Sequence, residues 1–191
     1  VADIPVINAG DGIGEHPTQA LLDMFTIYEK HGHLDNIKGL MVGDLLNGRT
    51  VHSLIKGLSI FNNVTLYLLS PKQLRLSDKD LDEAKKRKIR LVEIKSFEEI
   101  PADCHFWYWT RVQKERFSDK SEYEKLKLSF ILTKKLVDKK AGKNTLIMHP
   151  LPRVGEIETT VDSDPRAVYL TTEAKNGMYI RMALLKLILS K

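Results

Sequence analysis

The chain has 191 residues, 42% of them hydrophobic and 29% charged, ordinary globular proportions that exclude disorder, collagen-like repeats and a disulfide scaffold and point to one folded domain. Its one cysteine, Cys104, has no partner for an internal disulfide, which fits a reducing, cytoplasmic compartment. The net charge of +5 sits in residues 120–143, where eight lysines stand against three acids and no arginine; without interleaved aromatics this reads as a solvated helical face, not a nucleic-acid surface.

In chain order, Ala20, Leu21, Met24, Phe25 and Tyr28 recur at helical spacing, and Gly32 follows as a stop. Leu40-Met41-Val42 is a short apolar run entering Gly43-Asp44, and a second helix starts near Arg49 and runs to about Phe61. A buried strand is expected over 64–69, a charged helix over 78–88, a strand over 89–94 and a short helix over 96–100. An aromatic strand follows at 104–109 and a last short one at 145–148, closed by His149-Pro150. From Met178 to Lys191 the chain is apolar nearly all round, so this helix should be covered by its own domain on one face and by a further domain or subunit on the other. No apolar run reaches the roughly 18 residues that span a bilayer, and no signal-peptide pattern opens the chain, so no membrane partner is expected. No linker or repeat divides it. The fold class is therefore α/β, a doubly wound, mainly parallel sheet with helices on both faces, Rossmann-like, with ligands collecting at the carboxyl ends of the strands.

Four polar clusters fall at such ends. His16-Pro17-Thr18-Gln19 opens the first helix, and the three-residue spacing puts His16 and Gln19 on one face near its partly positive terminus. The preceding Gly10-Asp11-Gly12-Ile13-Gly14 lacks the spacing of a dinucleotide fingerprint. Gly43-Asp44 through Arg49-Thr50 joins a strand to a helix and sets an arginine above the sheet; Thr110-Arg111-Val112-Gln113 adds a second, with Gln113 able to face the same ligand. Two separate guanidinium groups at one sheet edge suit a substrate with two carboxylates. In His149-Pro150-Leu151-Pro152-Arg153 the prolines remove two N–H donors, leaving carbonyls as acceptors. His31 and His33 make a poor metal site, no zinc spacing or nucleophile pattern stands out, and Cys104 reads as a packing residue.

Taken together and in this order, these clusters resemble the aspartate-binding half of the aspartate carbamoyltransferase family. The matching stretches are Asn8-Ala9-Gly10-Asp11-Gly12, His16-Pro17-Thr18-Gln19, Met41-Val42-Gly43-Asp44-Leu45, Gly48-Arg49-Thr50-Val51-His52-Ser53, Thr110-Arg111-Val112-Gln113-Lys114-Glu115-Arg116 and His149-Pro150-Leu151-Pro152-Arg153. Ornithine-specific relatives lack the Gly-Arg-Thr and Thr-Arg-Val-Gln arrangements and carry a cysteine where Pro150 stands. Leu46-Asn47 and His105 depart from the family pattern.

The resemblance implies transfer of the carbamoyl group of carbamoyl phosphate to the α-amine of L-aspartate, in pyrimidine biosynthesis, with no metal or organic cofactor. It implies His16 as the catalytic residue at the carbonyl oxygen, Gln19 and the carbonyls of Leu151 and Pro152 on the carbamoyl amino group, and Arg49, Arg111 and Gln113 on aspartate. It further implies two crossing helices, near 16–31 and 178–190, a homotrimer formed through the full-length chain, and a preceding carbamoyl-phosphate domain that residues 1–191 lack. A non-catalytic ligand-binding or assembly domain of the same fold is the alternative.

Overall fold

The computed structural model describes residues 4–12, 14–87, 89–127 and 129–190. Five strands, β1 (Lys38–Val42), β2 (Thr65–Leu69), β3 (Arg90–Glu93), β4 (Phe106–Trp109) and β5 (Leu146–Met148), form one parallel sheet in the order β3-β2-β1-β4-β5. The helices are α1 (Pro17–His31), α2 (Arg49–Leu58), α3 (Asp78–Lys86), α4 (Lys120–Leu126), α5 (Lys134–Lys140) and α6 (Thr172–Leu189).

Strand alternation divides the core into two layers. Met41, Leu66, Leu68, Phe106, Tyr108 and Met148 meet α1, α2 and α3 on one face, while Leu40, Val42, Trp107, Trp109 and Ile147 meet Leu132, Val137 and Tyr169 on the other. Both indoles are wholly buried, and Trp109 Nε1–H donates to Phe130 O at 2.9 Å. The Cys104 thiol is buried as expected, and burial pushes its pKa up to about 12.

Element boundaries follow local chemistry. Gly32 ends α1 in the left-handed region (φ 76°), its N–H donating to Tyr28 O at 2.7 Å. Ser77 caps α3 by accepting from Asp80 N–H. Four readings are corrected. Helix α2 stops at Leu58, not near Phe61, because Ser59 to Phe61 turn back in hydrogen bonds to Ile55, Gly57 and Leu58 carbonyls. A 3-10 turn at Phe97–Glu99 replaces the short helix expected over 96–100. Helix α6 starts at Thr172, six residues before Met178, because Glu173 and Asn176 find buried partners across the fold; the charged helix expected to Lys88 reaches Lys86, and Lys88 lies outside the described residues.

The lysine-rich stretch folds as α4 and α5, with Lys120, Lys125, Lys135, Lys139 and Lys143 exposed and Lys127, Lys134 and Lys140 half-buried. Helix α6 packs its first turns on α1, whereas Met178, Met182, Leu185, Leu187 and Leu189 are more than half exposed. Among the described residues no helix is long and apolar enough to cross a membrane.

Candidate active site

Strand order reverses between β1 and β4, so the loops leaving their carboxyl ends diverge and open a crevice there, where open α/β sheets bind ligands. Gly43, at φ 114°, begins the first loop; a Cβ there would stand 2.2 Å from Thr110 O. The two loops are tied through Asp44, which is fully buried. Its carboxylate accepts from Asn47 N–H at 3.0 Å, the Asn47 amide at 3.1 Å and Gln113 N–H at 3.3 Å. Its own N–H donates to Thr110 Oγ1 at 3.1 Å, and Gln113 Nε2–H closes the circuit on Asn47 O at 2.7 Å. Burial pushes the Asp44 carboxyl above its usual range against the pull of these donors. The sequence reading did not assign Asp44 a role, although its position after the strand glycine was the available signal. Replacing Asp44 by alanine leaves buried N–H groups without an acceptor, so urea denaturation should show a loss of about 2–3 kcal/mol.

The tie sets Arg49, in the first turn of α2, across from Arg111. Both line a cavity of about 300 Å³ together with His16, Gln113 and the turn Pro150 to Pro152. Arg49 Nη1–H donates to Gly12 O at 3.1 Å. Arg111 places its fork on Glu115, at 3.1 and 2.5 Å, which raises the guanidinium pKa further. The side chain of Arg116 and Ile13 of the glycine-rich turn lie outside what the structure describes.

His16 enters from the other side. Its N–H donates to Ser53 Oγ at 2.9 Å, and Ser53 in turn donates to Glu15. Its Nδ1 is buried with no hydrogen-bond partner among the described residues. Burial first, then the positive charges of Arg49 and Arg181, push the imidazole pKa down, so the ring is neutral at pH 7.

The turn after β5 is built on His149, which is 2% exposed. Its Nδ1 accepts from Leu151 N–H at 2.8 Å, its Nε2–H donates to Glu156 at 2.7 Å, and its N–H donates to Glu173 at 3.1 Å. Burial works to raise the Glu156 pKa, but the bonds from His149 and Val154 N–H outweigh it and hold the carboxylate low. Leu151 has φ 52° and the Leu151–Pro152 peptide is cis. Among the described residues neither the Leu151 nor the Pro152 carbonyl accepts a hydrogen bond, the acceptor-rich turn read from the prolines.

Gln19 is placed differently from the expectation. His16 lies before the helix, with φ −136° and ψ 67°, so helical spacing does not put it beside Gln19. His16 lines the cavity of about 300 Å³, whereas Gln19 lines an adjoining one of about 120 Å³ that shares His149, Pro150 and Leu151. Gln19 Nε2–H donates to Asp23 Oδ1 at 2.9 Å. Away from the crevice, His105 stands between His31 and His33, with ring centroids 5.0 and 5.9 Å away, a grouping sequence spacing did not reveal. Among the described residues no set of three His, Cys, Asp or Glu side chains is arranged to hold a metal.

The family profile described as aspartate/ornithine carbamoyltransferase, Asp/Orn binding domain, matches residues 35–188, and that of the carbamoyl-P binding domain matches residues 1–29. The aspartate carbamoyltransferase catalytic subunits of Methanobrevibacter smithii and Methanocaldococcus jannaschii are each 47% identical over 97% of this chain, which spans 58 and 59% of their lengths. A solved M. jannaschii aspartate transcarbamoylase catalytic subunit superposes with a TM-score of 0.89 at 46% identity, over 99% of this chain and 60% of that one. The Trypanosoma cruzi aspartate transcarbamoylase in complex with N-(phosphonacetyl)-L-aspartic acid gives 0.83 at 36% identity, over 97% of this chain and 57% of that one. The chain therefore belongs to the aspartate/ornithine carbamoyltransferase family.

Proposed function

We propose that this chain is the aspartate-binding part of an aspartate carbamoyltransferase. The observation that carries the reading is the pair of forked guanidinium groups, Arg49 and Arg111, on opposite sides of one crevice that also presents an acceptor-only turn. Each fork matches a carboxylate, so Arg49 and Arg111 hold the two acid groups of L-aspartate, with Gln113 assisting. Gln19 and the Leu151 and Pro152 carbonyls receive the amino group of carbamoyl phosphate. His16, the catalytic residue, is neutral and donates to the carbonyl oxygen as charge develops there. The α-amine of aspartate attacks the carbonyl carbon, the carbon–oxygen bond to phosphate breaks, and the amine's surplus proton leaves with phosphate. Catalysis rests on positioning and electrostatics, and no step calls on a cofactor or metal.

The phosphate end is held by residues of the carbamoyl-phosphate domain, of which residues 1–29 match a part. The crossing helices are α1 and α6, and the exposed apolar side of α6, centred on Met178, Met182 and Leu185, is covered by that domain or by a neighbouring subunit of a homotrimer. A cytoplasmic location fits the buried thiol. The test is a carbamoyl-aspartate assay on the complete protein that carries these residues. Turnover is expected, and a complete protein that binds aspartate without turning over would make it the non-catalytic binding domain instead.

A further inference from the structure

A buried acidic pair that the proposed reaction does not use lies between α1, β4 and α6. Asp23 is 0% exposed and Glu173 2%. The two carboxyls interact with each other, and the Tyr108 hydroxyl, which also faces Thr50, stands beside them. Asp23 Oδ2, Glu173 Oε1 and Tyr108 OH have no hydrogen-bond partner among the described residues. Ionised carboxylates only accept, and the single Tyr108 O–H can serve one of the two oxygens at most, so the other stays unsatisfied until a carboxyl carries a proton. The outer oxygens are engaged: Asp23 Oδ1 accepts from Gln19 Nε2–H at 2.9 Å, and Glu173 Oε2 from His149 N–H at 3.1 Å. No lysine or arginine among the described residues bonds either carboxyl. Around them stand His149, held by Glu156, and Arg181, which lines the small cavity and donates to Gly177 O at 2.8 Å.

We propose that Glu173 is a neutral acid donating from Oε1 to Asp23 Oδ2, and that the shared proton makes Glu173 a positioning residue for the amino-group end of the site; the positioning role rests on the function proposed above. A hydrogen-bonded line then runs from Gln19 through Asp23 and Glu173 to His149. Pinning Gln19 Nε2 on Asp23 leaves its Oε1 as an acceptor, and pinning the His149 N–H fixes the turn whose Leu151 and Pro152 carbonyls are the other acceptors. The proton thus sets the spacing of the groups that receive an NH2.

Burial pushes the Asp23 carboxyl up to about 7, and burial together with repulsion from Asp23 pushes Glu173 well above the carboxyl range. Both lie above their ordinary values of 3.8 and 4.5. The pair's contribution to stability is therefore complete below those values and is lost as pH rises through about 7 and beyond.

The test compares the native complete protein with Glu173→Gln and Glu173→Leu. Glutamine puts an N–H where the acid proton stood and keeps an acceptor for His149. The native protein should show the infrared C=O band of a protonated carboxyl, and Glu173→Gln should lack it. At neutral pH the KM for carbamoyl phosphate should stay within about threefold of native in Glu173→Gln and rise about thirtyfold in Glu173→Leu, with the KM for aspartate within about twofold in both. At alkaline pH the native KM should rise relative to that of Glu173→Gln, by up to about tenfold per pH unit. Absence of the band, a flat ratio with pH, or a Glu173→Gln variant as impaired as Glu173→Leu overturns the proposal. If the complete protein ignores carbamoyl phosphate, the functional reading fails separately; the proton is then read from the infrared band and from the His149 amide shift titrating with a 13C-labelled Glu173 carboxyl, and a pair that does not titrate together overturns it.

Discussion

Replacing Arg111 by alanine in the complete protein should lower kcat/KM for aspartate about a thousandfold, a loss of about 4 kcal/mol of transition-state binding, while the KM for carbamoyl phosphate changes little. The magnitude follows from removing two parallel, charge-assisted hydrogen bonds to a carboxylate inside a partly desolvated crevice. Both terminal nitrogens of Arg111 rest on Glu115, which holds the guanidinium at the crevice, and a substrate carboxylate binds there by displacing Glu115 or by taking the remaining N–H groups. Arg49→Ala should give a similar loss, because its guanidinium is anchored at Gly12 O and faces the same cavity. Arg111→Lys keeps the charge but not the two parallel N–H groups and should recover only about tenfold of the loss. Steady-state kinetics with each substrate varied in turn checks all three. A rise in the carbamoyl phosphate KM instead would move the arginines to the other substrate.

Replacing Gly43 by alanine should cost about 3–4 kcal/mol of stability and abolish turnover, the larger effect being on activity. The backbone there has φ 114°, and the new Cβ would stand 2.2 Å from Thr110 O and 2.7 Å from Thr110 Oγ1. The backbone carbonyl of Thr110, whose own N–H is bonded to Val42 O, cannot swing aside as a side chain can. The end of β4 must move away from β1, breaking the bond from Thr110 N–H to Val42 O at 2.9 Å and carrying Arg111 away from Arg49. Gly32 is the internal comparison. It too has positive φ, at 76°, but nothing lies within 4 Å of a Cβ there, so Gly32→Asn should cost about 1 kcal/mol or less. Thermal unfolding of the two variants separates steric blockage from conformational preference.

Much of the architecture was legible because parallel strands buried on both faces appear as short apolar runs, as at Leu40 to Val42 and Phe106 to Trp109, and their crossover helices keep a helical period. The helical periods failed at ends that tertiary contacts decide. The first turn of α6 is polar in sequence, yet Glu173 reaches His149 and Asn176 reaches Thr26, 150 positions away. The site divides in the same way. His16, Arg49, Arg111, Gln113 and the His149 to Arg153 turn were readable because each sits in a contiguous motif beside a strand end or helix start.

What the sequence determined by itself is the alternation of elements, the family resemblance and the set of side chains proposed to bind two carboxylates and an amino group. The tertiary structure alone decided how they meet. The reversal of strand order between β1 and β4 opens the crevice, Asp44 ties its two loops together across 69 positions through Gln113, and α6 brings Glu173 against Asp23. It also separated His16 from Gln19 into adjoining cavities. The physical reason is common to all four. A buried carboxylate or a left-handed glycine has no meaning in local sequence until the fold supplies the donors, the missing proton or the neighbouring carbonyl that define its energy.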